Sequence, residues 1–268
     1  MPSWVGTKPR VLVINRADSI QPADRRLWTE HFKAQGIRAF WTDGKLGDGV
    51  SPLRDELLSA SVAINAKRAR RGLKPRPVRS CVIGFPNIGK SALINRLLNR
   101  KVCESAAMPG VTRMLKWVRL GGELDLLDAP GVIPASFNDQ IAAQRLAMCN
   151  DIGEAAYVDS LVASAFIVRC KTLPNNHKVL ARLTERYKLD PMAGTAEDFV
   201  QFLAERLFFG DREKAGQRIL KDYRQGFLGA FALEVPGERQ PGTAAAAAGR
   251  AQTRFAKQER ELEAWHSE

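Results

Sequence analysis

Gly84-Phe85-Pro86-Asn87-Ile88-Gly89-Lys90-Ser91 decides how this chain is read. The stretch matches G-x-x-x-x-G-K-[ST], a loop whose successive backbone N–H groups can wrap an anion. Val78 to Ile83, just before it, is a short apolar run that reads as a buried strand. Beyond Ser91, the residues Ala92, Leu93, Ile94, Leu97 and Leu98 space their apolar side chains as a helix does. Strand, glycine loop and helix N-terminus together favour negative charge, because the unpaired N–H groups and the helix dipole act in the same sense.

Composition sets the outer bounds. A chain of 268 residues can bury one good core and a smaller appendage. With 45% apolar and 26% charged residues it reads as an ordinary globular protein. No apolar run approaches the roughly 18 residues that a membrane-crossing helix requires. Cys81, Cys103, Cys149 and Cys170 are far apart and the three histidines are scattered. That spacing suits reduced structural thiols, and neither a disulfide framework nor a zinc site. The net charge of +12 attracts polyanions, and a nucleic-acid partner would screen its self-repulsion. Solubility alone is the other reading of that charge. Between Asn65 and Arg79 stand Lys67, Arg68, Arg70, Arg71, Lys74, Arg76 and Arg79 without an acidic residue, a candidate contact for a phosphate backbone.

Taken in order, Val11 to Ile14 is a continuous aliphatic run, expected as a parallel strand buried on both faces. A helix should follow from about Pro22 to Gln35, with Leu27, Trp28 and Phe32 inward and Gly36 as its stop. Ile37 to Trp41 is the next strand, and Pro52 to Arg71 the next helix. Gly121-Gly122 between Met114–Leu120 and Leu124–Leu127 signals a two-residue hairpin. From Asn138 to Leu173 the pattern is helical, and Pro174-Asn175-Asn176 breaks it. Thr195 with Asp198 reads as a capping box opening a helix whose inner face is Phe199, Phe202 and Leu203. A last helix runs from Arg212 to Arg224 and stops at Gly226. Residues from 238 are low in complexity, and a mostly disordered tail is expected. The division is therefore 1–137, a nucleotide-binding α/β domain; 138–237, a helical domain; and 238–268, the tail.

Several residues would turn the phosphate loop into a nucleotide site. Asn87, Ile88, Gly89, Lys90, Ser91 and Ala92 form the cradle, with Lys90 on the β- and γ-phosphates and the Ser91 hydroxyl on Mg²⁺. Asp128, at a strand end, is placed to hold the same ion. Gly131 can bring its N–H to the γ-phosphate, and Thr112 is the candidate switch threonine for the metal. Lys90, Thr112 and Gly131 are the expected catalytic set. Asn15-Arg16-Ala17-Asp18 departs from N-K-x-D only by Arg for Lys. Asp18 can accept hydrogen bonds from guanine N1–H and N2–H₂, a pair adenine does not offer. Arg16 can lie over the base. Thr42 and Asp43 occupy the place of the second base loop, although Thr42-Asp43-Gly44 matches S-A-K poorly.

In this chain the guanine box precedes the phosphate loop. That order resembles the circularly permuted GTPases, and the stretch Gly121 to Gly131 with its spacing resembles the YlqF/RbgA family over roughly residues 10–235. Asp151 to Tyr157 is similar to cyanobacterial and plastid members. The resemblance implies a P-loop GTPase fold with a permuted, mostly parallel sheet and a small helical domain. It further implies GTP/GDP and Mg²⁺ as ligands, slow intrinsic turnover, and a role in late assembly of the large ribosomal subunit with ribosomal RNA as partner. A monomer in the chloroplast stroma is expected, with mitochondrial matrix or bacterial cytoplasm as alternatives. Val132 stands where Ras-like enzymes carry a water-orienting glutamine. Asn87 has two readings, a K⁺ ligand as in potassium-activated relatives or a loop hydrogen bond. The resemblance also implies a strand and helix ahead of the guanine box, bearing the family's proposed catalytic histidine. Only nine residues precede Arg10, so we expect the sequence to begin downstream of the true start. A GTP-binding rRNA scaffold with negligible hydrolysis, and a P-loop ATPase of another pathway, are the rival functions.

Overall fold

A computed structural model of the chain describes residues 9–103, 116–120, 122, 124–131, 139–153 and 156–238. Thr112, Val132 and the tail beyond 238 lie outside the described residues. Two compact units are formed: Met1–Ile133 with Asp151–Gly153 and Gly229–Ala232, and Pro134–Asn150 with Glu154–Leu228 and Leu233–Glu268.

The first unit is α/β. Its elements are β1 (Leu12–Ile14), a 3₁₀ turn (Ala17–Ser19), α1 (Pro22–Ala34), β2 (Ala39–Trp41), α2 (Val50–Ala69), β3 (Val78–Val82), α3 (Lys90–Leu97), β4 (Lys116–Leu120) and β5 (Leu124–Asp128). β1 pairs in parallel with β2, and β3 in parallel with β5, whose other edge carries β4 antiparallel. The Leu120–Leu124 register leaves three residues between the paired strand ends, one more than the two-residue connection expected from Gly121-Gly122. Among the described residues β1 has no other strand partner and neither has β3, so the strands form two sheets.

The divided sheet explains two departures from the sequence reading. β1 is half-buried throughout, not buried on both faces, because one of its flanks has no neighbouring strand. β3 alternates, with Arg79 and Cys81 exposed between half-buried Val78, Ser80 and Val82. Helix α1 likewise buries no residue completely; Leu27 is exposed, and Trp28 and Phe32 stack on one another at 5.6 Å. The core lies around α3: Leu93, Ile94 and Leu97 pack with Phe40, Val50, Leu53, Val118, Leu124 and Leu126, and Val11, Val13, Val78 and Val82 close on it from the strands.

The second unit is helical: α4 (Gln140–Met148), α5 (Asp159–Thr172), α6 (His177–Tyr187), α7 (Ala196–Phe208) and α8 (Arg212–Arg224). The single helical pattern expected over 138–173 is two helices, because Asn150 takes a left-handed φ of 62° and ends the first. The expected capping box is present: Asp198 N–H donates to Thr195 Oγ1 at 3.0 Å and Thr195 N–H to Asp198 Oδ2 at 2.9 Å. Phe199, Val200, Leu203 and Ala204 form the buried face of α7, whereas Phe202 points outward and is 55% exposed. α5, α7 and α8 share a core of Phe166, Ile167, Leu203, Ile219 and Leu220. α8 comes so close to the start of α5 that a Cβ on Gly216 would sit 2.7 Å from Asp159 backbone atoms. Asp222, buried on α8, accepts from Arg186 (2.9 and 3.1 Å), Arg218 (3.0 Å) and the Tyr187 hydroxyl (3.1 Å).

No helix among the described residues is long and apolar enough to cross a membrane. Among the described residues the cysteines form no disulfide.

Candidate functional site

Everything needed for an anion cradle converges at the carboxyl end of β3. The chain leaves the strand through Gly84, passes Asn87 and Gly89 at positive φ of 57° and 88°, and enters α3 at Lys90. Two left-handed residues so close together turn successive N–H groups toward one concavity, which an L side chain at Gly89 would oppose. Lys90 Nζ donates to the Gly84 carbonyl at 3.2 Å and the Phe85 carbonyl at 2.8 Å, so the ammonium lies folded over the loop. Its pKa is lowered: burial disfavours the charge, and the carboxylates of Asp128 and Asp151 act against that.

β5 delivers Asp128 to the same place. The Ser91 hydroxyl donates to Asp128 Oδ2 at 3.0 Å. Asp128 is 1% exposed, and its Oδ1 has no hydrogen-bond partner among the described residues. A buried carboxylate oxygen left so is costly unless a cation or donor completes it. Three residues on, Gly131 meets the loop: a Cβ there would lie 2.5 Å from Pro86 N. Only glycine lets the backbone after β5 come so close to the cradle.

From the other sheet, Asn15 at the end of β1 reaches across. Its Nδ2 donates to the Ile88 carbonyl at 2.8 Å. Its Oδ1 accepts from Thr42 Oγ1 (3.1 Å) and Gly44 N–H (3.0 Å). One amide therefore ties the phosphate loop to the loop after β2. Thr42 is fully buried and also joins Ile14 through the backbone. Asp43 is buried too, and its carboxylate accepts from the N–H groups of Lys45 (2.7 Å) and Leu46 (2.9 Å), so it shapes the loop. Asp18 sits exposed on the 3₁₀ turn. Arg16, at a left-handed φ of 57°, uses its guanidinium on Asp151 at 3.2 Å.

Of the residues expected from sequence, Asn15, Thr42, Ile88, Gly89, Lys90, Ser91, Asp128 and Gly131 are thus linked by contacts in one neighbourhood, with Asn87 and Ala92 on the same loop and helix. Thr112 falls outside the described residues. Asp151 is a site residue that the sequence does not point to. Its stretch resembles the family, but nothing in the spacing shows that residue 151 returns to pair with residue 16.

A buried Asp beside a loop Ser and Lys, with an Asn-led box packed against the same loop, defines a P-loop nucleotide-binding protein. Residues 79–192 match a family model described as "50S ribosome-binding GTPase". The chain is 30% identical over 242 residues to ribosome biogenesis GTPase A of Priestia megaterium, covering 87% of this chain and 82% of the relative. To the Bacillus pumilus protein of the same name it is 32% identical over 239 residues, covering 85% and 82%. The solved structure of GNP-bound YlqF from T. maritima has the same fold, with a TM-score of 0.53 at 18% identity over 88% of this chain and 85% of that one. The chain belongs to the ribosome biogenesis GTPase A family, the YlqF/RbgA GTPases.

Proposed function

We propose that this GTPase serves assembly of the large ribosomal subunit, binding ribosomal RNA in a manner that depends on its nucleotide. The observation that carries the reading is Asn15: a residue encoded ahead of the phosphate loop is hydrogen-bonded into it. The base box and the cradle therefore serve one ligand, although their order in the chain is that of a circular permutation. The charge of +12 supports a polyanionic partner.

Residues of this chain divide the work. N–H groups of 87–92 receive the phosphates. Lys90 exchanges its two neutral carbonyl acceptors for phosphate oxygens, a stronger charge-assisted bond. Gly131 brings its N–H against the same loop and can register a terminal phosphate. Asp18 reads the guanine edge. The lone Oδ1 of Asp128, buried beside Ser91 Oγ, fits a hard cation. Ser91 and Asp128 would hold Mg²⁺, which when bound offsets phosphate charge. Asn87, left-handed within the loop, is our candidate for a K⁺ ligand.

Turnover tests the reading. GTP hydrolysis should rise when large subunits are added, and more in KCl than in NaCl. A lack of stimulation in every condition would favour the scaffold. ATP should fail to displace bound GDP where GTP succeeds, and Asp18→Asn should shift preference toward xanthine nucleotides.

A further inference from the structure

A groove runs along α3 away from the phosphate cradle, sharing only Ala92 with the cradle and Gly44 with the loop after β2. It encloses about 480 Å³, and Lys45, Arg96, Arg100 and Lys101 line it together with Asn95 and Asn99, with no carboxylate among the lining residues. All four cations are exposed, and none is in an ion pair among the described residues.

The groove is built. Ala92, Asn95, Arg96, Asn99 and Arg100 recur at helical spacing, so they share one face of α3 and its last turn. Asn99 takes a left-handed φ of 52° and turns the chain so that Arg100 and Lys101 line the same hollow. Asn95 anchors the segment after that turn: its Oδ1 accepts from Val102 and Cys103 N–H at 2.8 and 2.7 Å, and its Nδ2 donates to the Cys103 carbonyl at 2.7 Å. Arg96 donates to the Lys45 carbonyl, which holds the loop after β2 as the opposite wall.

Four like charges around one hollow repel each other unless an anion sits among them. A lone phosphate offers at most two negative charges, whereas consecutive phosphodiesters match the set and run along an open groove. We propose that this groove binds the RNA backbone, gripping successive phosphates through Lys45, Arg96, Arg100 and Lys101. It rests on the rRNA reading of the function and deepens it by naming a contact. Because the loop holding Lys45 also supplies Gly44 N–H to Asn15, the gripped strand lies two residues from the base-side anchor.

The test uses the full chain and an in vitro transcript of large-subunit rRNA, with filter binding over a salt series. R100Q/K101Q should weaken binding about tenfold near physiological salt and lower the log–log salt slope by about 1.4 to 1.8, two contacts' worth. R26Q/K33Q, which removes two exposed charges from α1, should change binding less than twofold. GDP affinity of R100Q/K101Q should equal that of the unaltered chain, which shows the fold intact. Equal losses in the two variants, or no loss in R100Q/K101Q, would overturn the groove while leaving rRNA binding in place. If the unaltered chain fails to bind the transcript, the rRNA reading itself falls, and the groove with it.

Discussion

Asn15 does the work of several residues. Its amide donates to the phosphate loop and accepts from Thr42 and Gly44, so truncation strands at least two partly buried polar partners at once. Each such loss costs about 1–3 kcal/mol. Asn15→Ala should therefore weaken GDP binding by roughly two orders of magnitude with little change in the chain's helical content, a result that titration of a fluorescent GDP analogue would read directly. This residue is legible from sequence, since an Asn opening N-x-x-D at a strand end is a polar group with a fixed task. Asp151 is not legible in that way. Its importance comes from a partner 135 positions away, and no local pattern encodes that distance. Asp43, expected on the base side of the site, spends its carboxylate on its own loop.

Elements are readable wherever local chemistry decides them. The Thr195–Asp198 box opens α7 as its sequence says, and Gly226 at φ 79° follows α8 as its stop. Thr195→Ala removes that reciprocal cap and should lower the melting temperature of the helical unit by about 4–8 °C in a thermal scan. Readings that need a neighbour fare worse. Leu27 and Phe202 lie on plausible inner faces yet are exposed, since periodicity names a face without saying what covers it. α6 escapes the sequence pattern because Pro174-Asn175-Asn176 signals a break and hides the helix that restarts at His177. That helix matters to acid stability. Burial works to raise the Asp222 carboxyl, but hydrogen bonds from Arg186, Arg218 and Tyr187 outweigh it and hold the pKa below its usual range. The stabilisation is thus present above the unfolded value near 3.9 and drains away as pH falls through the folded one. Asp222→Asn should flatten this acid limb in denaturant melts and destabilise the unit by about 2–3 kcal/mol at neutral pH.

At the scale of the molecule, the chain is two cores with different burdens. Only the first holds the cradle, Asp128 and the base box. A ligand stabilises the state that binds it, by about 2.7 kcal/mol at a hundred times Kd. Calorimetry with GDP at that excess should move one transition upward and leave the other in place. Joint movement would mean that the units unfold as one. The lack of a strand ladder between β1 and β3 among the described residues has a mechanical consequence of its own. In a continuous sheet, the base-reading and phosphate-holding halves would be welded by a backbone ladder. Here, among the described residues, they are fastened by side-chain packing, by the Asn15 carboxamide and by the Arg96 guanidinium on the Lys45 carbonyl, with no backbone ladder between them. Such a pocket is expected to release GDP without an exchange factor, and stopped-flow dissociation of a fluorescent GDP analogue from the chain alone would check it.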